Sequence, residues 1–375
     1  MKKILSFILP LLILVSSCIS RNSHRTGETP LCSLHLCYAK GFSVSYFKNF
    51  KEVTVFNPWT KETVYQRYYL VYDTSVAVPA NGVKIKIPVH TLAATSVTHF
   101  EFLCLLNEID AVTGVCSAKI IYNPQINDRL KKGLVVDLGD AFNMNLEKTV
   151  QLHADLVMVS GYNQNDPFAQ RLVEIGIPVV YNNEWMENSL LGRAEWIKFI
   201  GAFFDKEKLA DSIFQKIEQQ YLEASNKAKG VKYRPTIMSG SNFRGTWYMP
   251  GGQNFMAQLF LDAGGNYFYA DDTTKGSLPL NFEKILKNFA ETDVWLNCSY
   301  CSLDELLKAD AKYALFRPVK LKQVYNFNKR RLSSGANDFW ESGIAHPDLL
   351  LKDIISILHP ELLPDYELFY TKKLE

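Results

Sequence analysis

Two glutamates stand in matching surroundings. Asn145-Leu-Glu-Lys-Thr-Val carries Glu147 and leads to Ala154-Asp-Leu-Val-Met-Val; Asn281-Phe-Glu-Lys-Ile-Leu carries Glu283 and leads to Thr292-Asp-Val-Trp-Leu-Asn. Each copy predicts an asparagine N-cap, a short helix with glutamate in its first turn, and a buried strand. A carboxylate there suits the positive end of the helix dipole, and it can also grip a guanidinium on another molecule. Signatures of catalysis are missing. The sequence has no GxSxG elbow, no GxxxxGK[ST] phosphate loop, no GxGxxG and no HExxH. Of the seven histidines, a single-ion site would need His99, His153 and His346 to converge with a carboxylate, and nothing in their spacing shows that they do. Cys298-Ser-Tyr-Cys301 has CxxC spacing between a strand and a helix, open to a disulfide, inert thiols or redox chemistry; no second CxxC or histidine pair supports zinc. Cys32 and Cys37 could close a small loop, while Cys104 and Cys116 fall in apolar runs and belong to the core.

Lys2-Lys3 followed by the apolar run Ile4 to Val15 reads as a secretion signal over 1–17. At about twelve residues the run is short of the roughly twenty needed to span a bilayer. Val15-Ser16-Ser17-Cys18 resembles a bacterial lipobox, which implies that Cys18 is diacylglycerated and becomes the new N-terminus. Acyl chains on Cys18 would anchor the protein to the membrane, with residues 18–37 as a polar tether. No acidic cluster follows Cys18, so a periplasmic position is expected. Without the two leader lysines, 39 basic residues face 39 acidic ones. That balance gives no basic face for nucleic acid.

The remaining chain is long enough for two cores. Residues 38–90 are rich in aromatic and β-branched residues and predict an antiparallel β-rich appendage. Strand and helix patterns alternate over 91–184 and again over 231–375, which predicts covered parallel sheets. Between them, 185–230 holds a long helical stretch with apolar residues Ile197, Ile200, Phe204, Leu209, Ile213, Ile217 and Tyr221. Asp205 is expected to cap a second segment, giving two abutting helices or one with a kink. The expected fold is α/β: two Rossmann-like lobes joined by a long central α-helix, with the β-rich appendage before them.

Lipobox, paired lobes, central helix and paired glutamates together resemble the solute-binding lipoproteins of ABC importers, in the rigid-helix class that handles ferric siderophores, haem and vitamin B12. The likeness covers about 85–360. It rests on Gly114-Val115, MNLEKTVQLHADLVMV, LPLNFEKILKNFAETDVWLN, and Trp340-Glu-Ser-Gly followed by Pro347-Asp-Leu-Leu-Leu-Lys-Asp. The appendage is not part of the common pattern. The resemblance implies a monomer without turnover or a cofactor of its own. Glu147 and Glu283 would dock on arginines of the importer permease, and a metal chelate, an iron–siderophore complex first, then haem, then a cobalamin-type corrinoid, would lie between the lobes. Ligand contacts are then expected at the carboxyl ends of the strands: Thr98, His99, Tyr122 and Tyr162 on the first lobe; Arg244, Trp247, Tyr248 and Trp340 on the second. Ser160-Gly-Tyr162 is similar to a hydroxamate-siderophore loop whose tyrosine bonds the chelating oxygens. The arginine that such binders place six residues before the glutamate is Ala141 here, and the tryptophans of B12 binders are Ala141 and Ser277. A bare-metal binder, a redox enzyme built on Cys298 and Cys301, and an adhesion lipoprotein using the aromatic appendage are the competing expectations.

Overall fold

The computed structural model of the protein describes residues 29–164 and 166–375. The secretion signal and Cys18 lie outside them. The first described strands build the appendage: β1 (Cys32–Ser33), β2 (Phe42–Tyr46), β3 (Lys51–Phe56), β4 (Val64–Val71) and β5 (Val83–Lys86), side by side in chain order. β1 sits inside the stretch read as tether. Pairing is antiparallel through β4, but β5 runs parallel to β4. The all-antiparallel expectation fails there because the chain returns through residues 72–82 instead of a tight turn, and such a crossover permits parallel pairing. Alternation buries Val44, Val53, Val55 and Tyr68 completely on one face.

The N-lobe follows: β6 (Leu92–Ala94), α1 (Phe100–Leu105), β7 (Val112–Val115), α2 (Pro124–Lys131), β8 (Val136–Asp137), the hairpin β9 (Gly139–Asp140) and β10 (Asn143–Met144), α3 (Leu146–Gln151), β11 (Leu156–Val159), α4 (Pro167–Glu174) and β12 (Val179–Tyr181). Its five-stranded parallel sheet has the order β12-β11-β6-β7-β8. The order therefore reverses between β6 and β11, which opens a crevice at their carboxyl ends.

Three helices link the lobes: α5 (Leu190–Ala194), α6 (Ile197–Phe203) and α7 (Glu207–Lys229). The predicted break is present, but Asp205 does not cap α7. Asp205 has φ +57°, and its carboxylate takes Lys51 Nζ at 2.7 Å and the Tyr72 hydroxyl, tying the linker to the appendage. The linker also grips the strap that precedes β2. Glu195 is fully buried and accepts the backbone N–H groups of Cys37, Tyr38 and Ala39 at 2.8–2.9 Å; Glu187 accepts those of Lys40 and Gly41 at 2.8 and 2.7 Å. Five consecutive donors thus end on two buried carboxylates, and Phe42 packs on Trp196 at 4.8 Å beside them.

The C-lobe contains β13 (Thr236–Ser239), β14 (Asn242–Phe243), β15 (Thr246–Pro250), α8 (Phe255–Asp262), β16 (Asn266–Tyr267), β17 (Ser277–Leu280), α9 (Phe282–Phe289), β18 (Val294–Leu296), α10 (Leu303–Ala309), α11 (Arg317–Lys320), β19 (Tyr325–Asn326), α12 (Pro347–Leu358) and β20 (Lys372–Lys373). β16-β13-β18 is parallel, and the order reverses between β13 and β18. An antiparallel ribbon, β14-β15-β17, stands beside it. The ribbon, α2 and the β9–β10 hairpin were absent from the sequence expectation. Among the described residues no helix is long and apolar enough to cross a membrane.

Candidate functional site

The N-lobe crevice has a buried polar floor. After β6, Ser96 and Thr98 share a hydroxyl hydrogen bond of 2.9 Å. After β11, Ser160 Oγ lies 3.2 Å from His99 Nε2, and Gly161 N donates to Asn183 Oδ1 at 2.8 Å. Glu184, just past β12, is fully buried, and its Oε2 lies 3.8 Å from His99 Nε2. Neither Glu184 oxygen has a hydrogen-bond partner of good geometry among the described residues. Burial pushes this carboxyl up to about 7, against the pull of the nearby Thr98 hydroxyl, and burial holds His99 down at about 3. His99 is therefore a neutral residue beneath the floor. It supports Ser160 and offers no surface to a ligand, a correction to its expected direct contact; Thr98 is half-buried beside it.

Above the floor stands an aromatic shelf. Tyr162 packs on Phe142 at 4.7 Å and on Trp185 at 5.6 Å with 29° between the ring planes. Phe142 is 68% and Tyr162 47% exposed. A cavity of about 310 Å³ opens beside Tyr162, lined also by Thr95, Asn143 and Arg171. Sequence reasoning found Tyr162 and missed Phe142, Glu184 and Trp185. The strand-end rule could have found Glu184 and Trp185, since they follow β12 as Tyr162 follows β11. Phe142 sits in the unrecognised β9–β10 hairpin.

Across the cleft the ribbon separates two candidates. Tyr248 is exposed, whereas Trp247 is fully buried, donates to Ser239 O at 2.8 Å and packs on Trp295 at 5.3 Å. Neighbouring residues on a strand face opposite ways. Trp247 is a core residue, so its expected ligand contact is corrected. Arg244 lies at the ribbon turn with φ +52°, its guanidinium 5.1 Å from the Phe243 ring.

A third group joins the lobes. The carboxylate of Glu341 accepts from Tyr122 N at 2.8 Å, at the entrance to α2, and Arg330 lies 5.3 Å from the Tyr122 ring. His346 pairs with Glu101 at 2.8 Å. Burial pushes Glu341 up to about 8. Trp340, 57% exposed, stands edge-on to Phe339. Tyr122 and Trp340 are thus near one lobe contact, away from the shelf. His99 is buried, His153 is exposed beyond α3, and His346 is engaged with Glu101. Among the described residues no three metal-ligating groups gather.

Glu147 and Glu283 occupy the same place on their helices. Asn145 Oδ1 accepts from Lys148 N and Asn281 Oδ1 from Lys284 N, both at 2.9 Å, and both glutamates are exposed.

The sequence pattern of the periplasmic binding proteins matches residues 92–330, which span both lobes and the linker. The chain belongs to that family. An uncharacterized lipoprotein of Methanocaldococcus jannaschii is 28% identical over 285 residues, 74% of this chain and 67% of that protein. A possible iron-binding, periplasmic solute-binding protein of Staphylococcus epidermidis shares the fold with a TM-score of 0.56 at 19% identity, covering 72% of this chain and 98% of that one. The heme-binding protein RhuT of Roseiflexus sp. RS-1, in apo form, has a TM-score of 0.54 at 15% identity, covering 73% and 99%. In this periplasmic binding protein the matched region begins at β6, so the appendage falls outside it. The CxxC lies at the C-lobe switch point as two free thiols: Cys298 is buried and pushed up to about 12 by that burial, and Cys301 is exposed. A thiol held so far above neutrality is a poor nucleophile.

Proposed function

We propose that the protein captures an iron complex, a ferric siderophore in the first place, and delivers it to an ABC importer from a lipid anchor on Cys18 at the periplasmic face of the membrane. The lobes would act as a monomer, with 91–184 and 231–375 closing on the cargo and 185–230 as the strut. The name of the Methanocaldococcus relative supports the anchor, and family membership supports the importer. The observation that carries the cargo reading is the shelf of Phe142, Tyr162 and Trp185 above a polar floor at the N-lobe switch point. It offers aromatic ring surface and a phenol oxygen to a chelate, the mix expected of a specific small-molecule site. Thr98, Tyr122, Arg244, Tyr248 and Trp340 are the further contacts proposed. The same aromatic shelf supports haem as the second reading, and the RhuT likeness agrees with it.

The test is calorimetric titration of unlipidated protein with ferrioxamine B, ferric enterobactin, ferric citrate, haemin and cyanocobalamin. Saturable sub-micromolar binding of one class is expected. Tyr162→Ala should weaken it about tenfold through the lost stacking, and Tyr162→Phe should weaken a siderophore through the lost hydroxyl. A folded protein silent to every chelate would sink the cargo reading.

A further inference from the structure

The appendage has no counterpart in the matched family region, yet it walls part of the cleft. Beyond Trp185, and sharing Asn183 with the floor, lies a cavity of about 650 Å³. Appendage residues Lys40 and Lys61 line one side. Arg193 of the linker lies behind, and Lys275 with the first turn of α8 closes the other side. The appendage is tightly seated here. A Cβ on Gly161 would meet Trp59 at 3.2 Å, and one on Gly41 would meet Trp196 at 2.7 Å.

The charged side chains lining this cavity are Lys40, Lys61, Lys275 and Arg193 against the single carboxylate of Glu187. Glu187 Oε1 accepts from Lys40 N, Gly41 N and Trp196 Nε1. Among the described residues Lys40, Lys61, Lys275 and Arg193 form no ion pair. Arg193 is fixed in place, donating to Trp185 O at 2.6 Å and Glu187 O at 3.0 Å with its guanidinium 3.8 Å from the Phe255 ring. The unpartnered polar atoms have one character as well. Asn183 is 3% exposed; its Oδ1 is taken by Gly161, which leaves Nδ2 as a donor without an acceptor. Trp185 Nε1 is a second such donor. Buried donors without acceptors are costly, and a ligand oxygen would remove that cost. The eight-residue helix α8 also turns its positive end toward the cavity.

We infer that this cavity is an anion subsite, one side of it built by the appendage, which takes carboxylate groups of the cargo while the aromatic shelf takes its apolar face. The inference rests on the cargo reading above and deepens it: ligands bearing free carboxylates are selected over those without them. Ferric citrate and haem share that chemistry, and the test separates them.

The experiment is calorimetry at low and moderate salt with ferric citrate, haemin, metal-free citrate and the carboxylate-free ferrioxamine B, on the wild type, Lys40→Glu, Lys61→Glu, Lys275→Glu and the control Lys227→Glu on α7. All four lysines are exposed, so the substitutions should leave the fold intact. Expected is binding of at least one carboxylate probe, weakened about tenfold by each cavity reversal and by added salt but untouched by the control. The responding carboxylate probe names the source. Ferrioxamine bound while carboxylate probes are ignored overturns the subsite and leaves the cargo reading standing. Equal affinity of wild type and cavity variants for a carboxylate probe does the same. Metal-free citrate bound with every chelate silent supports the subsite and removes the cargo reading, and silence to all probes, citrate included, removes both.

Discussion

Glu184 and His99 show how little of a buried site is visible in a residue's type. Both can ionise, yet burial keeps the carboxyl protonated to about 7 and the imidazole neutral down to about 3. A carboxyl raised in the folded state holds its proton after the unfolded chain has released it. Its contribution is complete below the unfolded value of 4.5 and is lost as pH rises toward 7. His99 acts in the opposite sense below its ordinary 6.5, so the wild type alone gives a mixed profile. The difference between wild type and Glu184→Gln isolates the carboxyl. From pH 5 to pH 8 the wild type should lose on the order of 2–3 kcal/mol relative to the variant. Urea melts at both pH values measure it, and a constant gap would show that Glu184 titrates normally. Sequence reasoning placed Tyr162 and Thr98 near the crevice because they follow strand ends. It had no means of separating Trp247 from Tyr248, since one residue of register decides which ring reaches the core.

At the scale of elements, the lobes were legible because their strands are short apolar runs between well-marked helices. Asn145 and Asn281 cap α3 and α9 as their spacing predicts. The β9–β10 hairpin and the β14 arm of the ribbon were not legible, since two-residue strands carry almost no periodicity. The union of appendage and linker was hidden for another reason: it depends on contacts across some 150 residues. Glu195 and Glu187 receive the strap at 37–41, and Glu195 also pairs with Lys198 at 3.2 Å. Removing one member of such a buried set leaves donors and a cation without partners. Glu195→Ala should therefore cost about 3–5 kcal/mol, with Glu195→Gln intermediate. Denaturant unfolding followed by tryptophan emission checks this through Trp196, which packs beside the strap. A variant as stable as the wild type would show that the appendage is only loosely held.

At the scale of the molecule, the long α7 and the contact between the lobes bear on what can move, and the two matched glutamates bear on the proposed docking. α7 has 23 residues and so runs about 35 Å. It packs along α6 and α12 rather than standing free. Bending it means disturbing those faces, so lobe opening should be small. The cross-lobe contacts Glu341–Tyr122 and Glu101–His346 restrain it further. A body that changes shape little would be recognised chiefly by position, and on the proposed docking two exposed carboxylates at equivalent places on separate lobes would serve as a two-point reference. An exposed ion pair is worth about 0.2–1 kcal/mol, but a pair desolvated against permease arginines can reach roughly 2–5 kcal/mol. Glu147→Ala and Glu283→Ala should thus each reduce uptake severalfold, and the double variant should reduce it by more than about tenfold. Affinity for the cargo in solution should stay the same, because both glutamates sit on helix first turns that take no part in the floor, shelf or ribbon. Uptake into vesicles carrying the importer, measured beside calorimetry on the same variants, separates the roles. Weaker cargo binding would move these glutamates into the cleft, and unchanged uptake would leave them as ordinary first-turn helix residues.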